Sequence, residues 1–157
     1  MNKSEIELAE KLLGNNETEE LTKLLLPFVE LKDPYAINFI SCFSQPGESH
    51  SDFDKRYIKQ KAEASELGSA DASYRMGVNH LYGDDVERDL NKASQYFERA
   101  IQQGHSHTKF TYGFSLYYGT DGNSKDICRG LKLMHEAANE GIELAIKELE
   151  LIAGNGT

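Results

Sequence analysis

Tryptophan is absent from this 157-residue chain, proline occurs three times and cysteine twice. The two cysteines, Cys42 and Cys128, stand far apart, so there is no disulfide framework and no zinc-ligand spacing. Both are expected to be small buried apolar residues. No apolar run approaches the ~18 residues of a membrane-spanning helix. The run LLLPFV at residues 24–29 is short and broken by Pro27. The N-terminal MNKSEIELAEKLL mixes charge and apolar residues, an amphipathic pattern without the continuous apolar stretch of a secretory leader. The expected compartment is therefore the cytosol. Basic side chains are also scarce, with Lys and Arg numbering 17 against 26 Asp and Glu, for a net charge of −9. That balance disfavours nucleic acid and anionic membranes as partners. It suits a protein partner with a basic surface, or solubility alone.

Catalytic patterns are missing too. No phosphate-cradling glycine loop, G-x-S-x-G or Cys/His nucleophile arrangement occurs. His105 and His107 fall at a helix junction with no Cys or carboxylate at ligand spacing. The run Asp84-Asp85-Val86-Glu87-Arg88-Asp89 is acidic but lacks the glycine and final glutamate of a calcium loop. It reads either as a solvated loop ending in a helix cap or as an acidic lip that steers a basic partner. No enzyme, cofactor or metal site is expected.

What is present is helical periodicity, almost throughout. Ser4-x-x-Glu7 reads as a capping box for a first helix that Gly14-Asn15-Asn16 ends. A second helix fits residues 17–31, kinked or split after Leu26 by Pro27. Asp33-Pro34 reads as an N-cap followed by proline at the first helical position. Helices then fit residues 35–43, 53–67, 70–82, 90–103, 108–118, 127–140 and 142–153, with a loop at 44–52 and a frayed tail at 154–156. The total is about nine, with no convincing strand.

The helices repeat. Gly77, Tyr82, Gly83, Asp89, Ala100 and Gly104 recur as Gly113, Tyr118, Gly119, Asp126, Ala137 and Gly141, a spacing of 36 to 37 residues. Such a period signals stacked units that share a core and leave an extended concave surface. Gly77 and Gly113 sit mid-helix, which is tolerable where the partner helix packs on the backbone, and Ala93, Ala100, Gly130 and Ala137 are small counterparts on the second helix. Phe97 and Met134 fill the layer between hairpins. Asp89 and Asp126 fit N-caps, and Gly104 and Gly141 the left-handed C′ position.

The pattern Y-x-x-G-x-x-x-x-x-G, then a loop with Asp, then K-A-x-x-x-F-x-x-A-x-x-x-G resembles the Sel1-like repeat, a relative of the tetratricopeptide repeat. The match is strongest over residues 70–104. It is good over 105–141, where Gly130 replaces the usual alanine and 120–125 gains a residue, and weak over 34–68. The resemblance implies an all-α, right-handed α-solenoid forming a single domain. Its parts would be an N-terminal helical cap (1–33), a degenerate repeat (34–68), two repeats (69–104 and 105–141) and a capping helix (142–157). It implies a non-enzymatic module binding a protein or peptide as adaptor or regulator. The alternative is a dedicated inhibitor, an immunity protein or antitoxin, that neutralises a toxin. The disulfide-bearing secreted branch of the family carries nothing over, because its cysteines are missing here. By position, the first helix of each hairpin lines the concave face. Its outward residues would be Asp71, Tyr74, Val78, Leu81 and Tyr82, then His107, Phe110, Phe114, Tyr117 and Tyr118, with Tyr35, Asn38, Cys42 and Gln45 from the degenerate repeat. The expected partner-binding set is Tyr74, Val78, Tyr82, Phe110, Phe114, Tyr117 and Tyr118, together with Asp84 and Asp85 of the acidic loop. The dense aromatic cluster supports this choice, since hot spots are built from such anchors.

Overall fold

A computed structural model describes residues 1–154. Among them are nine helices and no strand: α1 (Lys3–Gly14), α2 (Thr18–Glu30), α3 (Pro34–Ile40), α4 (His50–Glu66), α5 (Ala70–Tyr82), α6 (Leu90–Gln102), α7 (Ser106–Tyr118), α8 (Ile127–Asn139) and α9 (Glu143–Gly154). Apart from Gly154, which closes α9, the tail expected to fray lies outside the described residues. Each helix packs mainly on its chain neighbours, so the molecule is a row of helical hairpins, an all-α solenoid.

Local chemistry explains most boundaries. Asp33 accepts hydrogen bonds from the amides of Tyr35 and Ala36, and Asp89 and Asp126 cap α6 and α8 through Lys92 N and Arg129 N. Gly104 and Gly141 follow α6 and α8 at φ 88° and 89°, a left-handed backbone that a side chain would strain. The α5–α6 and α7–α8 loops close alike. Asp89 N donates to His80 O, and Asp126 N to Leu116 O, so each capping aspartate is tied back to the preceding helix.

Four expectations are corrected. The capping box of α1 is built on Asn2 and Glu5, not Ser4 and Glu7, because the helix starts two residues earlier than the Ser4 cap would set it. Helix α2 is not split after Leu26 but continues through Pro27, which lies on its exposed side opposite the buried Leu21 and Leu25. Helix α4 starts at His50, inside the expected loop, because Ser49 caps it by accepting from Asp52 N. Cys42 and Cys128 are exposed, not buried. The buried stripe of α8 is Gly130, Leu133, Met134 and Ala137, and Cys128 falls off it; Cys42 lies off the stripe formed by Ala36, Ile37, Ile40 and Phe43.

The core has two main clusters. One joins Ala9, Leu21, Leu25, Ala36, Ile40 and Phe43 across the first three helices. The other joins Leu81, Ala93, Phe97, Tyr112, Leu116 and Leu133 across the two hairpins α5–α6 and α7–α8. Ile37, Ala64 and Ala72 bridge α3, α4 and α5. Polar links reinforce these seams. Ser73 Oγ lies 2.7 Å from Ser65 Oγ and 2.6 Å from Gln103 Oε1, while Gln103 Nε2 donates to Ser65 O, which ties α4, α5 and the end of α6.

Arg56 clamps the turn between α3 and α4. Its Nε and Nη2 donate to the two Glu48 carboxylate oxygens at 2.6 and 2.8 Å, and Nη1 and Nη2 also reach Ile40 O and Phe43 O. The Arg56 hydrogen bond, helped by the amide of Gln45, holds the Glu48 carboxyl at about 2, below the 4.5 of an ordinary glutamate. The unfolded chain therefore binds this proton first as pH falls. The stabilisation is complete above pH 4.5 and is lost as pH drops toward about 2. Glu48→Gln is expected to lower stability at neutral pH and to flatten the stability profile across that acid window. Urea unfolding at a series of pH values measures it, and an unchanged acid slope would contradict it.

Candidate functional site

The helical period places one stripe of α5 opposite one stripe of α7. Tyr74, Val78 and Tyr82 stand four residues apart on α5, and Phe110 and Phe114 four apart on α7, so each set shares a face. Between them lies a groove of about 380 Å³. Leu81, Phe97 and Tyr112 form its floor, each less than a tenth exposed. The floor is held by aromatic contacts: Phe97 lies 6.2 Å from Tyr74 and 5.7 Å from Tyr112, ring centre to ring centre. Burial pushes the Tyr112 phenol up, so it stays neutral. Phe114 packs between Phe110 at 6.1 Å and Tyr118 at 4.6 Å.

One end of the groove is closed by the α7–α8 loop. Ser115 Oγ donates to Thr120 O at 2.8 Å and accepts from Asn123 Nδ2 at 2.9 Å. Gly122, at φ 76°, packs against Leu90, where a Cβ would come within 2.4 Å of a Leu90 methyl. This pinned loop delivers Asp121 and Asn123 to the groove wall. Neither residue was found from the sequence, although the one-residue gain at 120–125 marked the loop as unlike its counterpart.

Of the nine expected binding residues, the groove gathers Tyr74, Val78, Tyr82, Phe110 and Phe114. Tyr118 stands behind Phe114, exposed, with its hydroxyl donating to Glu148 Oε1 on α9 at 2.6 Å. That bond, with a smaller contribution from burial, pushes its pKa up to about 12, so it remains a neutral donor. Tyr117 packs edge-on to Tyr118 and lies against Gly130 of α8. Asp84 and Asp85 are exposed in the α5–α6 loop. Asp85 lines a different depression with Ser51, Asp54, Lys55 and Ile58 of α4.

Two residues expected to face outward are buried. Leu81 sits in the groove floor, and Asn38 is engaged by Lys61 and Asp71. His105 has a structural task. Its Nδ1 accepts from Thr108 N as the cap of α7, its ring stacks 5.0 Å from Tyr74, and burial lowers its pKa.

Stacked helical hairpins with an aromatic groove along the first helices define a helical-repeat scaffold. The Sel1 repeat family model matches residues 70–105 and 112–142, the α5–α6 and α7–α8 hairpins, so the chain carries two Sel1-like repeats. A Sel1 repeat protein from Oxalobacter formigenes is similar, with 26% identity, a TM-score of 0.67, and coverage of 80% of this chain and 51% of that one. A protective antigen of uropathogenic Escherichia coli with an SLR fold shares the fold at 19% identity and a TM-score of 0.69, over 88% of this chain and 29% of that one. Cysteine rich protein B of Helicobacter pylori also shares the fold, at 21% identity and a TM-score of 0.63, over 83% of this chain and 93% of that one. The chain thus spans about half the length of the first of these and under a third of the second. Sel1 repeat proteins are generally protein-binding scaffolds rather than enzymes. No described helix is long and apolar enough to cross a membrane.

Proposed function

We propose that this protein is a non-enzymatic adaptor or regulator that docks a protein segment in the groove between α5 and α7. The observation that carries this reading is the groove's composition. Six aromatic rings, those of Tyr74, Tyr82, Phe97, Phe110, Tyr112 and Phe114, converge there, and those of Tyr74, Tyr82, Phe110 and Phe114 are left partly open. Aromatic anchors in a concave site contribute most of the energy of a protein interface. The two exposed, unpaired thiols of Cys42 and Cys128 suit a reducing compartment, which supports a cytosolic setting.

The test is a paired pull-down from native lysate with the wild-type chain and the Phe110→Ala/Phe114→Ala variant. Both phenylalanines are only half-buried, so the variant is expected to keep its circular dichroism spectrum and fold. The partner held by the wild type is expected to bind the variant at least about tenfold more weakly. Equal capture by both chains would remove the groove from the binding surface.

A further inference from the structure

The walls of the groove carry one charged group, and it is an acid. Asp121 lines the site, and no Lys, Arg or His does. Three basic residues near these helices are engaged without lining the groove. Lys109 pairs with Glu136 and Glu140, Arg88 donates to Leu81 O at 3.0 Å, and Arg75 lies over the ring of Tyr74 at 5.9 Å. The Asp121 carboxylate has no ion pair among the described residues, and accepts one long hydrogen bond, from Thr120 Oγ1 at 3.4 Å. Asn123, Ser115 and Gly122 pin the loop that carries it, so the loop presents Asp121 at the groove wall while its carboxylate stays exposed.

An unpaired carboxylate on the wall of an aromatic groove is complementary to one kind of side chain, a cation with a flat or weakly hydrated head. Aromatic rings attract cations through their quadrupole, most strongly where water is displaced. Arginine suits this site better than lysine. Its planar guanidinium can lie on a ring while its edge donates two hydrogen bonds to a carboxylate, and its three-carbon stem covers apolar surface. The net charge of −9 would draw such a partner in.

We propose that the α5–α7 groove accepts an arginine side chain of a basic partner protein, stacked against Tyr82 and Phe114 and paired with Asp121. This rests on the docking reading above and specifies what is docked.

The test is an NMR titration of the 15N-labelled full chain with three acetylated, amidated pentapeptides of sequence Gly-Leu-X-Leu-Gly. X is arginine, its neutral isostere citrulline, or norleucine. The arginine peptide is expected to shift the amides of Tyr82, Phe114 and Asp121 saturably. It should bind at least about tenfold more tightly than the citrulline peptide, and weaken as salt rises from about 0.05 M to about 0.5 M. Asp121→Asn, on an exposed loop, is expected to erase the preference between arginine and citrulline while leaving the spectrum folded. If norleucine binds the groove as well as arginine does, the cation assignment falls and the docking groove stands. Shifts confined to another face with all three peptides overturn both. Choline chloride is the remaining arm. Saturation of the same amides at lower concentration than the arginine peptide would assign the groove to a free quaternary ammonium and overturn a protein source.

Discussion

Replacing Asn38 with alanine is expected to cost about 3 kcal/mol of folding stability, although Asn38 lies on the helix face that the repeat pattern assigns to the concave surface. Lys61 on α4 is 2% exposed, and its ammonium must find acceptors inside the protein. The shortest is Asn38 Oδ1 at 2.5 Å, with Asn38 O and Cys42 Sγ each at 3.3 Å. The Asn38 amide in turn donates to Asp71 Oδ2 at 3.0 Å. The side chain thus passes the charge of a buried cation on α4 to a carboxylate on α5, through α3. Alanine leaves the ammonium with two long contacts and the Tyr57 ring, 5.6 Å away. It also deprives Asp71 of its donor.

Lys61→Met tests the cause. Methionine keeps the volume and removes the charge, so it avoids the desolvation cost while leaving one amide oxygen unpaired. Its loss is expected to be about 1 kcal/mol. If the buried charge is what makes Asn38 necessary, the double variant will lose at least about 1 kcal/mol less than the sum of the singles. Urea unfolding of the four chains at pH 7 gives the comparison. An additive cycle would mean that Asn38 acts through packing or through Asp71 alone.

The same network shows where sequence reasoning stops. Helix number and most helix ends were legible, because they depend on neighbours a few residues away: an aspartate before the helix, a glycine after it, a stripe every three or four positions. The wall of the groove was legible for that reason too, since Tyr74, Val78 and Tyr82 are set by the period of one helix. Contacts between distant residues were not. Asn38 and Lys61 are 23 positions apart, and nothing in either segment alone shows that they meet. Asn38 therefore looked like an outward polar residue, and Cys42 like a core residue. The groove's floor and closed end were hidden similarly. Phe97 belongs to the second helix of its hairpin, and Asp121 reaches the site only because a left-handed loop folds back on Leu90 and Ser115. Fold follows from local rules that recur in each repeat, whereas the site depends on how one loop departs from its counterpart.

Gly130→Ala is the second large effect, and it runs against helix propensity. In an unhindered mid-helix position alanine would gain about 1 kcal/mol over glycine, and alanine is the usual residue at this place in the repeat pattern. Here a Cβ would lie 2.6 Å from Gly113 O, 2.7 Å from Tyr117 N and 2.8 Å from Tyr117 Cβ. Two of these atoms are backbone and the third is fixed to it, so α7 and α8 would have to separate. The approach is reciprocal, since a Cβ on Gly113 would meet Leu133 Cβ at 2.9 Å and Gly130 O at 3.0 Å. Overpacking of this kind costs up to about 3 kcal/mol, and the propensity gain offsets about 1, leaving a net loss of about 2 kcal/mol. Gly77→Ala supplies the contrast. The nearest atoms to its Cβ all belong to the Phe97 ring, at 2.6 to 3.2 Å. That ring forms the groove floor, and space lies above it. The ring can tilt into the groove, so the stability change is expected to stay within about 1 kcal/mol. The tilt would narrow the groove, so Gly77→Ala is expected to weaken partner binding while Gly130→Ala chiefly lowers the unfolding midpoint. Thermal unfolding of both variants, followed by the pull-down used for the Phe110→Ala/Phe114→Ala chain, separates the two effects. Equal stability losses would show that the close contact between α7 and α8 is no tighter than the one between α5 and α6.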